Sequence, residues 1–184
     1  MAKKVLLSFF FISMVSFGQE NSKVMLKLFN IKTSNDFFIK IPATDSICKL
    51  TEFEKIDSLE YAKGSYSDED ENGDVFLDYL QMHPIHLSGK KTFHFFVAPF
   101  IVTNQGSGIF YYLGFFTTDT KQMKTTHLDS YFLGDTILIE SIKITGNRIK
   151  ISVKVHSEGQ AMSDDPDQTK NFELKVNKKG FIKD

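Results

Sequence analysis

Two runs decide the fold: TFHFFVAPFIV at residues 92–102 and IFYYLGFFT at 109–117, separated by Asn104-Gln105-Gly106-Ser107-Gly108. Each is a nearly unbroken series of aromatic and aliphatic residues, and such residues favour strands. The short Gly, Asn and Ser segment between them is a turn signal. The pair therefore reads as a β-hairpin at the heart of a sheet. Pro99 has no N–H to give to a ladder, so it marks a bulge or an edge position in the first run. Tyr111 and Tyr112 are adjacent in a strand and must point to opposite faces. One is expected in the core and the other in solvent. An exposed aromatic cluster there would suit a binding partner, although core packing accounts for it more simply.

Further along the chain, 136–144 and 148–155 form a second hairpin across Gly146-Asn147. Ile149, Ile151, Val153 and Val155 alternate with Lys150, Ser152, Lys154 and His156, which predicts one buried and one wet face. Gly134-Asp135 is read as opening a strand. A polar loop over 157–170 leads to a last strand, in which Phe172, Leu174 and Val176 alternate. Towards the amino terminus, 24–31 and 37–41 read as strands joined by a polar turn at 33–36. Ile47, Leu50, Phe53 and Ile56 recur every third residue, which predicts a short helix capped by Thr44 or Asp45. Residues 65–74 read as a loop, 75–82 as a strand, and Pro84 and residues 88–91 as a close. The fold class expected is mainly β, with α+β as the alternative: an antiparallel sheet or barrel-like sandwich with one short helix.

The chain opens with Lys3-Lys4 and then the apolar run VLLSFFFISMVSF at 5–17. That run is shorter than the ~20 residues a spanning helix needs. A basic start, an apolar middle and small residues at Ser16 and Gly18 make a secretory signal. Cleavage after Gly18 leaves residues 19–184 as one β-rich domain in the periplasm or outside the cell. Cys48, the single cysteine, is too far from the cleavage point to carry a lipid. Alone, it makes no intramolecular disulfide, and it reads as a buried small hydrophobe.

The whole chain has 22 basic and 23 acidic side chains. Residues 1–18 contribute Lys3 and Lys4 and no acid, so the domain has 20 basic and 23 acidic groups, a net charge of −3. That excludes the strongly basic character of a nucleic-acid binder. The chain has 19 Phe and 6 Tyr and no Trp; some of the Phe fall in the signal, and the rest still leave an aromatic-rich domain able to build a core without disulfides.

Three blocks carry a family likeness: Gly106-Ser107-Gly108-Ile109-Phe110-Tyr111-Tyr112-Leu113, then Tyr131-Phe132-Leu133-Gly134-Asp135 with Ile139-Glu140-Ser141-Ile142, then Glu158-Gly159-Gln160-Ala161-Met162. Together they resemble a group of small bacterial envelope proteins and lipoproteins of uncharacterised function, over about residues 64–176. The resemblance implies an envelope location. It implies no reaction and transfers no catalytic residue.

The best chemical candidate is Asp68-Glu69-Asp70-Glu71-Asn72-Gly73. Asp68, Asp70 and Asn72 match positions one, three and five of a calcium loop, and Gly73 matches its glycine. Val75 stands at position eight. The closing glutamate is absent, because position twelve is Tyr79. Asp74 or Asp78 would have to substitute. The alternative is a solvated acidic loop. His83, His86 and His94 would hold zinc or copper only if their segments pair; ordinary surface or buried histidines are the simpler account. Ser107 lacks a nucleophile-elbow context. Asp164, Asp165 and Asp167 read as a soluble loop, or as part of a cation site shared with the first loop.

No catalytic or cofactor signature stands out, apart from the calcium half-motif. The expected role is a non-enzymatic binding module acting through the aromatic face or the acidic loops. Its partner would be another envelope protein, a glycan or a secreted enzyme. A small hydrolase and a calcium-responsive structural protein are the alternatives. No nucleic acid is expected, and membrane contact is expected only through export.

Overall fold

The computed structural model describes residues 36–67, 71–88, 92–106 and 108–182. The expected signal peptide, the strand at 24–31 and most of the turn at 33–36 lie outside them. Strands β1 (Phe38–Lys40) and β2 (Ile47–Lys49) form a two-stranded ribbon. A large sheet follows, built from β3 (Glu52–Ile56), β4 (Leu59–Ser67), β5 (Asn72–Leu77), β6 (His83–Ile85), β7 (Phe93–Thr103), β8 (Ile109–Asp119) and β9 (Lys124–Asp135). Its order is β3-β4-β5-β7-β8-β9, with β6 also paired to β7. The third sheet runs β10 (Leu138–Thr145), β11 (Arg148–Val155), β12 (Gln168–Asn177) and β13 (Gly180–Phe181). All strand pairs are antiparallel. The protein is mainly β, with its sheets packed as a sandwich. Among the described residues no helix is long and apolar enough to cross a membrane.

The middle of the large sheet, at β7 and β8, is buried on both faces. On one face Phe96, Phe100 and Phe116 pack under Phe37, Ile39, Cys48 and Leu50 of the ribbon and its flanks. On the other, Val97, Leu113 and Phe115 pack against Ile149, Ile151, Val153 and Val176 of the third sheet. Neighbours along β7 and β8 therefore enter different cores. That is why these strands read as continuous apolar runs, a pattern expected wherever both faces are covered. The expected hairpin forms in full register, from Phe93 opposite Asp119 to Thr103 opposite Ile109. Tyr111 and Tyr112 do take opposite faces, but neither stands free in solvent: each is partly buried, one against each core.

Pro99 lies inside β7, opposite Leu113. Its carbonyl accepts a hydrogen bond from the Asp78 N–H at 3.0 Å. This side of β7 faces the gap between β5, which ends at Leu77, and β6, which starts at His83. The gap is a local edge, where a missing donor costs no ladder bond. The second hairpin also forms as expected, with Gly146 at φ +61° in its two-residue turn. Ile149, Ile151 and Val153 are buried and Val155 is half-buried.

Other expectations are corrected. Residues 47–56 are two strands, β2 and β3, not a helix. The buried residues there are Cys48 and Leu50, two apart, while Ile47, Phe53 and Ile56 are exposed. The three-residue recurrence was a coincidence of exposed apolar side chains, and the period of two decides. Residues 65–74 are mostly paired: Ser65 faces Asp74, and Ser67 faces Asn72. The strand expected over 75–82 stops at Leu77, where Asp78 caps a 3₁₀ turn at Tyr79–Gln81. Gly134-Asp135 closes β9 instead of opening a strand.

Gly64 sets the ribbon's position. A Cβ there would run into the Lys49 carbonyl and the Cys48 sulfur. The missing side chain lets β2 lie directly on β4.

Candidate functional site

Two aromatic rows cross β7, β8 and β9 on the ribbon side of the large sheet. The first is Phe96, Phe116 and His127, with Phe96 stacked on Phe116 at 5.1 Å and Phe116 on His127 at 4.7 Å. Phe37 covers it at 5.5 Å from Phe116. His127 ties the ribbon down: its Nδ1 accepts the Lys40 N–H at 3.0 Å. The proton must then sit on Nε2, which lies 2.9 Å from the Asp129 carbonyl and 3.0 Å from Ser130 Oγ. Burial pushes the pKa of this imidazole down to about 4, so it is neutral at pH 7.

The second row is Phe100, Tyr112 and Phe132. Phe100 stacks on Tyr112 at 5.3 Å, and Tyr112 meets Phe132 at 5.3 Å. Phe100 is fully buried, Tyr112 half-buried, and Phe132 51 % exposed. Phe110 flanks the open end at 6.5 Å from Phe132. A register shift of β9 against Tyr111 and Tyr112 brings Phe132 opposite Tyr112; such bulges re-aim side chains beside sites. The adjoining turn holds the open end in place. Asp135 Oδ1 accepts from the Ile109 N–H at 3.0 Å and from Thr136 Oγ1 at 2.9 Å. Thr136 itself sits at φ +46°, an unfavourable region for a β-branched residue.

Beside this row lies a groove of about 1160 Å³, walled on its far side by the ribbon turn at 42–46. Ser46 closes that turn, its carbonyl accepting the Ile41 N–H at 2.9 Å. Asp45, Glu71 and Asn104 add polar groups to the aromatic wall of Phe110, Tyr112 and Phe132. Asn104 Nδ2 donates to Glu71 Oε1 at 3.3 Å, and Asn104 Oδ1 accepts the Gly106 N–H at 3.0 Å. Burial, and then the Glu71 charge, hold the Tyr112 phenol above its ordinary pKa. The groove thus presents flat apolar rings beside carboxylate and amide groups.

A second cavity, about 220 Å³, lies on the opposite face beside Asp78, Tyr61 and Tyr111. Burial raises the Asp78 carboxyl above its usual range. Its oxygens are already engaged: Oδ1 accepts from the Leu80 and Gln81 N–H groups at 3.2 Å, and Oδ2 from Gln81 Nε2 at 2.7 Å. Asp78 is therefore the cap of the 3₁₀ turn.

The residues singled out from sequence are dispersed. Asp68, Asp70 and Ser107 lie outside the described residues. Asn72 and Asp74 are in β5, and Asp74 accepts from Ser65 Oγ at 2.6 Å while lying 3.4 Å from Lys63 Nζ. His86 and His94 line one cleft of about 350 Å³, which His83 does not reach. Among the described residues no group of three His, Cys, Asp or Glu side chains is placed to hold a metal ion. Cys48 is buried, and burial followed by the Asp74 charge pushes its thiol up to about 12. The carbonyls of Asp164, Asp165 and Asp167 accept from His156, Gln160 and Lys154.

Sequence reasoning reached Phe110 and Tyr112 through their hairpin but missed the groove's other wall and His127. The 42–46 turn comes to the site only by folding over β4. His127 sits in a strand whose polar letters hid it. Comparison with protein-family models, curated proteins and solved structures finds no match for this chain.

Proposed function

We propose that this chain is an exported binding module of the periplasm or extracellular space, and that its ligand is a glycan laid along the groove beside Phe132. One observation carries the reading: an aromatic row that starts in the core at Phe100 ends half-exposed at Phe132, inside a groove edged by Asp45, Glu71 and Asn104. Exposed aromatic rings offer broad apolar faces, and the C–H faces of sugar rings stack on such surfaces. Sugar hydroxyls need acceptors and donors nearby, which carboxylates and a primary amide provide. The groove exceeds the roughly 300–1,000 Å³ of typical small-ligand pockets, so it suits several linked sugar units. The secretory-type amino terminus supports the location.

The test is calorimetric titration of residues 19–184 with a panel of neutral and acidic oligosaccharides. At least one should bind, and Phe132→Ala should weaken it tenfold or more. Absence of binding across the panel, or equal affinity in Phe132→Ala, would overturn the reading.

A further inference from the structure

The cavity of about 220 Å³ beside Asp78 takes no part in the groove at Phe132, and the strand register fixes which side chains face it. Residues directly opposite each other, or two apart along one strand, share a face. Lys63 is opposite Phe76, Phe76 opposite Ile101, and Ile101 opposite Tyr111. Tyr61 lies two residues before Lys63 on β4. Tyr61, Phe76 and Tyr111 therefore share one face, the one turned to the third sheet, against whose core Tyr111 packs. All three line the cavity. The Tyr61 and Phe76 rings meet edge to face, with centroids 6.3 Å apart and planes at 84°. Leu59 and Leu138, both exposed, line it where it meets solvent.

Asp78 supplies the charge. It lines the same cavity and is only 8 % exposed. Every hydrogen-bond donor on its carboxylate is neutral: two backbone N–H groups and the Gln81 amide. These bonds favour the ionised form and fill three of the about four acceptor positions of a carboxylate. Among the described residues Asp78 has no ion-pair partner. The His83 imidazole acts on it, but burial lowers the His83 pKa below its ordinary 6.5, so that ring is neutral at pH 7. Lys63 lies 5.3 Å from the Phe76 ring centre, outside the cavity lining, and its ammonium is held by Glu54 at 2.6 Å and Asp74 at 3.4 Å. Burial, and then the Asp78 charge, hold the Tyr61 phenol above its ordinary pKa. The cavity thus joins aromatic walls to a buried carboxylate whose charge is uncompensated, an arrangement that costs free energy until a cation arrives.

We propose that this cavity takes a quaternary ammonium headgroup, with the rings of Tyr61, Phe76 and Tyr111 around its methyl groups and the Asp78 carboxylate as its counter-charge. Aromatic faces attract such cations through their quadrupoles. A primary ammonium has three N–H donors to satisfy, and Asp78 has about one acceptor position left; a methylated ammonium has none to satisfy and suits the apolar lining of Leu138 and Ile139. The volume lies below the roughly 300–1,000 Å³ of pockets for larger ligands, so it admits a headgroup and not a long chain. The cavity and the groove at Phe132 lie on opposite sheet faces, so either proposal can fail without the other.

The experiment is a ¹H–¹⁵N titration of residues 19–184 with choline, its uncharged carbon analogue 3,3-dimethylbutan-1-ol, and ethanolamine. Choline should bind tightest and shift Tyr61, Phe76, Asp78 and Tyr111. Tyr61→Leu and Asp78→Asn should each weaken it at least fivefold. Asparagine also caps a helical turn, and the thermal midpoint checks that Asp78→Asn is folded. Phe53→Leu, on the opposite face of the neighbouring strand, should change binding less than twofold. Dihexanoylphosphatidylcholine below its micellar concentration separates two sources of the headgroup: tighter binding than choline supports a lipid, weaker binding a free solute. Choline leaving these residues unshifted would overturn the site. The uncharged analogue binding as tightly would overturn the role of Asp78, and ethanolamine binding as tightly would overturn the choice of a methylated ammonium. An equal loss in Phe53→Leu would remove the cavity from the effect.

Discussion

The two aromatic rows lie on the same sheet face, in the same three strands, and end differently. The row through Phe116 finishes under the ribbon, sealed by Phe37 and by the bond from Lys40 to His127. The row through Tyr112 finishes at Phe132, with half of that ring in solvent. The ribbon covers one row and leaves the end of the other as a groove wall. Identical chemistry thus serves as core in one place and as an open surface in the other, and the difference is made by which row the ribbon reaches. On the proposed function, the exposed rings of the second row are the surface that meets the ligand.

This contrast should be sharpest in stability. Phe116→Ala empties a fully buried site and should cost about 3–5 kcal/mol, read from denaturant unfolding. A cost below ~1 kcal/mol would show that the first row is not a packed core.

The next effect is pH dependence. His127 has its pKa lowered to about 4, against an ordinary value of 6.5. The unfolded chain therefore takes up this proton first as pH falls. The stabilising contribution is complete above pH 6.5 and is lost as pH falls from 6.5 towards 4. At ~1.4 kcal/mol per unit this amounts to about 3 kcal/mol. His127→Phe leaves the Lys40 N–H without its acceptor and should cost roughly 1–3 kcal/mol at pH 7, but it should flatten this part of the curve. An equal slope in the variant would separate His127 from the effect. It would leave the ribbon's attachment insensitive to that proton.

Smaller again is the buried pair formed by Thr118 Oγ1 and Thr125 Oγ1, 2.9 Å apart. Thr118→Val strands one hydroxyl and should cost about 1–3 kcal/mol, checked by the same unfolding measurement. The smallest effect falls on the open row. Phe132→Ala should change stability by less than ~1 kcal/mol, because half of the ring is already in water. A loss comparable to that of Phe116→Ala would remove the contrast between the rows.

What was legible in the sequence follows the same logic. Strands β7 and β8 announce themselves because both faces are buried along their middles and nearly every position there is apolar. Strands β10 to β12 do so through alternation, because their outer face is wet. Strand β9 escaped notice, although it runs from Lys124 to Asp135. Its buried positions include Thr125 and His127, made tolerable inside by hydrogen bonds that no single-sequence pattern displays. Ile47, Leu50, Phe53 and Ile56 misled in the opposite sense, as apolar residues at helical spacing of which only Leu50 is buried. Phe110 and Tyr112 could be suspected from their hairpin. The groove could not, because Glu71 and Asn104 meet only through the pairing of β5 with β7, and Asp45 joins them only where the ribbon lies on the sheet.

The most direct test of the central claim is a ¹H–¹⁵N shift map of residues 19–184 titrated with the tightest oligosaccharide from the panel. The largest shifts should fall at Phe110, Tyr112, Phe132, Asn104 and the 42–46 turn, with the Phe116 row unmoved. Shifts centred on Asp78 and Tyr61, or spread evenly over the surface, would contradict it.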